Sequence, residues 1–242
     1  MPTPTNAADV PATRRARQRA QTTDEIKSHA RKQLADGGTG ALSLRAISRE
    51  MGMAPAALFR YFDTQAALIT ALCVDANVAL AEAMSEGQEA AVQGSATGRV
   101  RAAFVAARRW ALANPGDFAL LSGTPIPGYR AQPAETGPAA VQVVVSFMGA
   151  YLNAVAAGEA VPQRTTFRPL APGPLLAALL GTTSDAPADT AIVGIGISAW
   201  TSITGYLAGE IFGSLRDLVA DSDALYDDHV NSVMRGMGFV VT

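Results

Sequence analysis

Arginine is the residue type whose distribution in this chain first points to a chemistry. Residues 1–62 hold ten Lys or Arg against five Asp or Glu, whereas residues 63–242 hold nine against sixteen, so a net charge of −2 hides a basic N-terminal region. Guanidinium groups bind phosphate oxygens. When basic side chains bind a nucleic acid, counterions are released only from the phosphates that those side chains contact. The pattern favours a nucleic-acid-binding region attached to an acidic body. The basic residues are Arg14, Arg15, Arg17, Arg19, Lys27, Arg31, Lys32, Arg45, Arg49 and Arg60.

Side chains for catalysis or metal binding are few. The 242 residues include two His and one Cys, and they contain no metal-ligand spacing, nucleophile elbow or P-loop. Gly194 to Ala199 fits the dinucleotide-binding pattern G-x-G-x-x-G/A, but no preceding strand is predicted, and close packing of helices explains these small residues better. Cys73 is expected to be an ordinary buried residue. We predict no enzymatic activity, no cofactor and no metal site.

Two short helices are predicted on either side of Gly52. Ser43 can cap the first through its hydroxyl, Gly52 can adopt the positive φ that ends it, and Pro55 suits the first turn of the second. Asp63 is expected to cap the helix that follows. This spacing predicts a helix-turn-helix, a motif that places its second helix in the major groove of DNA. Its buried face is formed by Leu44, Ile47 and Met51.

Two stretches resemble a known family of proteins. The segment 42–68, LSLRAISREMGMAPAALFRYFDTQAAL, is similar to the DNA-binding domain of the tetracycline-repressor (TetR) family of bacterial regulators, and the similarity extends over residues 22–72. The segment 114–129, NPGDFALLSGTPIPGY, resembles a C-terminal-domain motif, HP/NPxxFxLLxGTPxPGY, of one branch of that family. The resemblance implies a homodimeric, sequence-specific transcription regulator, most often a repressor that a small molecule releases from its operator.

The resemblance also implies roles for individual residues. Ser43 and Arg45 would lie at the start of the helix that crosses the phosphate backbone, and the second helix would face the major groove. This chain departs from the family pattern at Ala54, where a Ser or Thr cap is usual, at Phe59, which replaces a Tyr, and at Gln65, which replaces a Lys. The DNA-binding residues implied in this way are Ser43, Arg45, Pro55, Ala56, Ala57, Phe59, Arg60, Tyr61 and Gln65.

We predict three regions along an all-α chain. Residues 1–21 are expected to be a disordered basic arm, residues 22–68 a three-helix helix-turn-helix domain, and residues 69–242 a larger helical domain for ligand binding and dimerisation. The first helix is predicted to begin at Thr22 or Thr23, because a Thr cap there precedes two acidic residues.

Helical periodicity predicts most of the larger domain. Expected segments are a helix from Asp63 to Glu86, a loop over 87–98, a helix from Arg99 to Ala113, a short helix capped by Asn114, a short helix over 175–180, and a last helix from Ser222 whose apolar face carries Leu225, His229, Val233 and Met237.

Two uncharged stretches, residues 136–158 and 190–209, have the length of a bilayer span. Their Gly, Ala, Ser and Thr content and the acidic residues beside them favour buried core or interface helices, so we predict no membrane partner. Family resemblance implies that the last two long helices, near 190–212 and 224–238, pack against those of a second copy. The expected macromolecular partners are this second copy and a pseudo-palindromic double-stranded operator in the bacterial cytoplasm, associated with the nucleoid.

An unknown small-molecule effector is expected to bind among aromatic residues of the helical body. The excess of acidic residues there favours a neutral or cationic molecule. Two other functions stay open at this point: a DNA-binding architectural or interaction protein without an effector, and, less favoured, a helical enzyme. The candidate ligand-binding residues are Phe104, Trp110, Phe118, Phe147, Tyr151 and Trp200.

Overall fold

The computed structural model describes residues 14–91, 94–122, 126, 128–179, 191–216 and 218–240. Within these ranges all regular segments are helical, apart from one isolated antiparallel bridge between Ala160 and Phe239. The chain divides into two compact units at Leu68 and Ile69. The predicted all-α class is confirmed.

The described part of the N-terminal unit holds three α-helices, the start of a fourth, and a 3-10 turn at Thr39–Ala41. The α-helices are α1 (Arg14–Gly37), α2 (Leu44–Glu50), α3 (Pro55–Leu58) and the first turn of α4 (Gln65–Ala90). Ser43 caps α2 by accepting a hydrogen bond from the backbone N–H of Ala46 at 3.3 Å, and Gly52 has φ of 64°. Both predictions for this turn are therefore confirmed. The buried core of this unit consists of Ile26, Ala30, Leu34, Leu42, Leu44, Ile47, Leu58, Phe62 and Leu68.

Helix α1 begins eight residues earlier than its predicted start at Thr22. The hydroxyls of Thr22 and Thr23 donate to the carbonyls of Gln18 and Arg19, one turn back, so both residues lie inside the helix and do not cap it. The preceding Arg, Gln and Ala residues are good helix formers, which explains the extension. The expectation of a disordered arm over 1–21 is thus wrong for residues 14–21, and residues 1–13 lie outside the described residues.

Several helix ends in the middle of the chain also differ from the prediction. Thr64, and not Asp63, caps α4, because its Oγ1 accepts from the N–H of Ala67 at 3.0 Å. Helix α4 continues to Ala90, and α5 (Ala96–Ala113) begins within the predicted loop, where Ser95 caps it by accepting from the N–H of Gly98. At both starts, side-chain oxygens accept hydrogen bonds from backbone N–H groups that the helix leaves free.

After α4 and α5, the described part of the C-terminal unit contains five further α-helices and a 3-10 turn at Pro162–Arg164. Asn114 is the N-cap residue of α6 (Pro115–Leu121), as predicted, but its side chain makes no capping bond. Its side-chain amide donates instead to the carbonyl of Trp110, at the end of α5. Helix α5 packs against α7 (Pro133–Ala156), α9 (Ile192–Ile211) and α10 (Ser222–Gly236). The short α8 (Pro174–Leu179) lies against α7.

Three helices, α4, α7 and α9, are long and apolar enough to span a bilayer by length and composition alone. In the structure α7 and α9 supply large side chains to the core shared with α5 and α10, which is the buried role predicted for the two uncharged stretches. These side chains include Phe147, Tyr151, Ile195, Ile203 and Leu207.

The buried face of α10 lies one position further along the helix than predicted. The side chains that pack into the core are Tyr226, Val230 and Met234, and Met237 is buried just after the helix. The predicted face is only half-buried, so part of its apolar surface stays open to a partner. Its residues are Leu225, His229 and Val233.

Candidate nucleic-acid interface

The nine residues implied by the resemblance all remain accessible on the N-terminal unit. Leu58 and Phe62 are buried and anchor the segment between them, while Phe59 and Arg60 stay exposed. The side chains thus divide cleanly into an anchoring set and an outward set. The outward set is exposed (Arg45, Pro55, Ala56, Phe59, Arg60 and Gln65) or half-buried (Ser43, Ala57 and Tyr61).

Helix α3 is a single turn, and its sequence explains why. Pro55 occupies the first helical position, and Ala54 at the cap offers no side-chain acceptor for the free backbone N–H groups. After Leu58 the chain tightens into a turn in which the N–H of Tyr61 donates to the carbonyl of Leu58 at 2.8 Å. We call residues 55–61 the α3 segment. This segment consists of the single turn of α3 and the non-helical turn after it, and both expose side chains to solvent.

Arg19 on α1 fixes the end of the α3 segment. Its Nη2 donates to the backbone carbonyl of Arg60 at 3.1 Å, and its guanidinium carbon lies 5.0 Å from the ring centroid of Tyr61. The first contact occupies a carbonyl left free at the end of the turn, and the second is a cation–π contact worth about 0.5–1 kcal/mol at an exposed site. Arg19 therefore belongs to the interface through the residues it holds.

A half-open cleft of about 350 Å³ lies between α1 and the α3 segment. Three of the eight residues that line it are arginines, and none of the eight is acidic. We call it the basic cleft. Its lining consists of Arg15, Gln18, Arg19, Thr22, Met53, Ala57, Arg60 and Tyr61.

A polar network connects α1 to α2. Nδ1 of His29 lies 2.9 Å from a carboxylate oxygen of Glu50, and the amide of Gln33 donates to the other carboxylate oxygen at 3.3 Å. The side-chain oxygen Oε1 of Gln33 accepts a hydrogen bond from the backbone N–H of Ser43 at 2.9 Å. The hydrogen bonds from His29 and Gln33 lower the pKa of Glu50. His29 therefore connects α1 to α2.

Similar proteins identify the family. Residues 26–72 match the family described as "Bacterial regulatory proteins, tetR family", and residues 100–233 match "Tetracyclin repressor-like, C-terminal domain". The chain belongs to the TetR family. Members of this family are DNA-binding transcriptional regulators, so the helix-turn-helix and the regulatory class predicted from the sequence are both confirmed.

Individual relatives of this TetR-family chain are regulators as well. The HTH-type transcriptional regulator Rv1816 of Mycobacterium tuberculosis is 34% identical over 212 residues, which cover 86% of this chain and 89% of the relative. The crystal structure of regulatory protein SCO4313 superimposes with a TM-score of 0.69 at 33% identity, covering 92% of this chain and all of that one. A tetR-family protein from Rhodococcus RHA1, with a TM-score of 0.63 at 14% identity, covering 91% and 99%, shows the same fold.

The six aromatic residues predicted to bind a ligand lie within the packed C-terminal unit. The Phe147 ring packs against Phe104 and Trp200, each at 5.7 Å between centroids, while Phe118 packs against Phe212 at 6.3 Å. The hydroxyl of Tyr151 donates to the carbonyl of Met237 at 2.9 Å, and burial raises the pKa of this phenol to about 12. Trp110 and Trp200 are half-buried and the other four are buried.

Two cavities of the C-terminal unit are lined by other residues. A half-open cavity of about 380 Å³ between α7, α8 and α9, which we call the apolar cleft, is lined by Val141, Val144, Gly173, Pro174, Leu176, Val193 and Ile197. A smaller one of about 170 Å³ is lined mainly by α9 and α10 and contains Ser198, Ser202, His229 and Ser232. Phe147 and Trp200 follow Val144 and Ile197 by three positions, about one helical turn.

Proposed function

We propose that this TetR-family protein is a repressor that binds a pseudo-palindromic operator as a homodimer and is released by a neutral, apolar small molecule. The observation that carries the effector part of the proposal is the apolar cleft. Every residue that lines it is apolar or glycine, so a charged ligand would lose its hydration there without gaining a partner. Phe147 and Trp200 do not line this cleft, but each follows one of its lining residues by about one helical turn.

Dimerisation is supported by the surface that α9 and α10 leave open. On α9, Ile197 is 51% exposed and Thr201 is exposed, while Val233 on α10 is half-buried. One α3 segment buries too little surface for tight, specific DNA binding, whereas a two-fold dimer reads two half-sites. Thr201→Arg on α9 should therefore yield monomers in sedimentation equilibrium. Gln142→Arg, an exposed position on α7, is the matched control and should leave dimers intact.

Release by an effector requires that the molecule bind more tightly to the conformation whose DNA-binding surfaces no longer match the operator. The first test is selection of bound fragments from a genomic duplex pool at about 150 mM salt, where non-specific binding fades. Recovery of an inverted repeat supports a dimeric operator-binding protein. Recovery of random fragments would favour an architectural DNA-binding protein.

The effector part has its own test. A panel of neutral apolar compounds is screened for loss of operator binding by fluorescence anisotropy, and each active compound is repeated on Val193→Trp, which narrows the apolar cleft. We expect release from the wild-type protein and little release from the variant. Equal release from both proteins would place the effector site outside the apolar cleft. If no compound releases the protein from DNA and none raises its melting temperature, the proposal of an apolar effector is contradicted.

A single substitution tests how the operator is read. Arg60 is the charged side chain of the α3 segment, and a bidentate contact from arginine to a base is worth about 1–3 kcal/mol of discrimination. Arg60→Ala should lower the preference for the operator over a scrambled duplex by roughly tenfold or more. An unchanged preference would assign Arg60 to the phosphate backbone alone.

A further inference from the structure

Because α1 begins at Arg14, the side chains of its first turns can be assigned to faces of the helix. Positions 15, 18, 19 and 22 recur at the spacing of one helical face, and the side chains there all line the basic cleft. Arg17 lies about 200° around the helix from Arg15, on the opposite face. Arginines of the same helix are thus divided between a cleft and the open surface.

The guanidinium of Arg19 makes two contacts with other residues that line this cleft. It bonds the carbonyl of Arg60 and lies over the ring of Tyr61. Both partners belong to the α3 segment, so Arg19 joins that segment to α1 by two contacts of different kinds. The planar guanidinium can make both at once, which an ammonium group cannot do equally well.

The remaining lining favours an anion of phosphate size. Arg15 and Arg60 bring two further guanidinium groups to the cleft, Gln18 adds a carboxamide, and the eight lining residues include no carboxylate that would neutralise them. Ala57, which is among the residues expected to face the major groove, lines the same cleft. An anion bound here would therefore lie directly beside the groove-facing surface.

We propose that the basic cleft receives one backbone phosphate of the operator, bound by Arg15 and Arg60, and that Arg19 is the positioning residue that holds Arg60 and Tyr61 for this contact. The inference rests on the proposed operator binding. It extends the DNA-reading surface from the helix-turn-helix onto α1, and it assigns Arg60 to a phosphate as well as to the edge of the groove. Fixing Arg60 by a phosphate on one side limits the bases that its guanidinium can reach.

The phosphate contact is tested by the salt dependence of binding to the selected operator. Each neutralised phosphate contributes about −0.9 to the slope of log K against log salt. Arg15→Gln should therefore make the slope less steep by about 1 and weaken operator and scrambled duplex alike. The matched control is Arg17→Gln, which removes the same charge from the opposite face of the same helix and should leave the slope unchanged.

The outcomes separate this inference from the proposed function. If the wild-type protein selects no sequence, the operator proposal fails. If the wild-type protein binds its operator but Arg15→Gln and Arg17→Gln change the slope equally, or if neither changes it, the cleft is not a phosphate site. Replacing chloride by inorganic phosphate at equal ionic strength should compete only weakly, and complete loss of DNA binding would show that the cleft prefers a free anion.

The positioning role of Arg19 is tested by Arg19→Lys, which keeps the charge but not the two simultaneous contacts. We expect an unchanged salt slope and a loss of operator preference of roughly 3- to 10-fold. In the double variant with Arg60→Ala the loss should be no greater than for Arg60→Ala alone, because Arg19 acts through Arg60. Additive losses, or a lowered melting temperature with preference intact, would reduce Arg19 to a structural residue.

Discussion

Arg108 on α5 and Glu210 on α9 form a two-point ion pair in the C-terminal unit. Nε and Nη2 of the arginine donate to the two carboxylate oxygens at 2.9 and 2.6 Å, and both side chains are largely shielded from solvent, with 14% and 12% exposed. The guanidinium also lies 4.9 Å from the ring centroid of Tyr226 on α10 and 2.7 Å from a carboxylate oxygen of Asp223. One side chain thus links three helices of the body.

Breaking this pair should destabilise the protein measurably. Glu210→Gln leaves the shielded Arg108 without its main counter-charge, and we expect the free energy of unfolding in urea to fall by about 2–3 kcal/mol. Asp223→Asn is the control: it removes a carboxylate from the same guanidinium, but that side chain is 89% exposed. Its loss should cost less than about 1 kcal/mol. Equal effects of the two substitutions would contradict this account.

A hydroxyl at position 54 should strengthen α3. Ala54 lies at the cap of that helix and makes no side-chain hydrogen bond, so Ala54→Ser can satisfy a free backbone N–H and should raise the free energy of unfolding of the N-terminal unit by about 1 kcal/mol. Ala56→Ser, on the same turn but inside the helix, should be neutral or slightly destabilising. Thermal unfolding followed by circular dichroism distinguishes the two, and stabilisation by both variants would exclude capping as the reason.

Glu159 makes the stability of the C-terminal unit depend on pH. Its carboxylate accepts from the backbone N–H and the hydroxyl of Thr97, both at 2.7 Å, and from the N–H of Ala96 at 3.2 Å, so it caps the start of α5. The hydrogen bonds from Thr97 lower the pKa of Glu159. The stabilisation is therefore present above the ordinary carboxyl range, near pH 4–5, and is lost as pH falls through the lowered folded-state value.

Glu159→Gln removes that titration while keeping an acceptor. We expect the melting temperature of the variant to lie below that of the wild type at pH 7 and the difference to shrink as the pH is lowered towards 3. Glu82→Gln, at an exposed position of α4, provides a charge-matched control whose difference from the wild type should vary less with pH. A constant difference for Glu159→Gln would show that the carboxylate stabilises α5 by shape alone.

Two helical glycines should respond in opposite ways to alanine. A Cβ at Gly149 on α7 would meet nothing within 4 Å, and Gly149→Ala should stabilise by about 0.5–1 kcal/mol because alanine favours the helix. A Cβ at Gly87 on α4 would lie 2.7 Å from the Cβ of Ala106 and 3.0 Å from the carbonyl oxygen of Ala102, so Gly87→Ala should destabilise. Urea titrations of both variants test whether α4 and α5 need this close approach.

Local chemistry explains which parts of the fold could be predicted. The cap at Ser43, the positive φ at Gly52 and Pro55 at the start of α3 each depend on neighbours within a few residues, and the prediction of each is confirmed. The predicted starts of two helices were wrong. Thr64 caps α4 in place of Asp63, and Thr22 lies inside a helix that begins at Arg14. Asp63 and Thr64 offer equivalent acceptors, and helix-forming residues before Thr22 extend α1, so a candidate cap alone fixes neither start.

Part of the candidate site could be predicted from the sequence and part could not. The outward residues of the α3 segment follow from the family pattern, but the part of α1 that faces them does not. To predict that Arg15 and Arg19 belong to the site, one would have to treat positions 15, 18, 19 and 22 as one face of a helix. The expectation of a disordered arm excluded a helix there. The apolar cleft could not be predicted either, because its walls come from three helices far apart in sequence.

The division of the chain at Leu68 and Ile69 also separates its charge. Residues 1–68 carry ten basic and six acidic residues, and residues 69–242 carry nine and fifteen. The phosphates of a duplex attract the basic unit and repel the acidic one, so encounters in which the basic unit meets the DNA are favoured. Encounters should then be productive more often than random collisions, with an association rate constant that falls steeply as ionic strength rises.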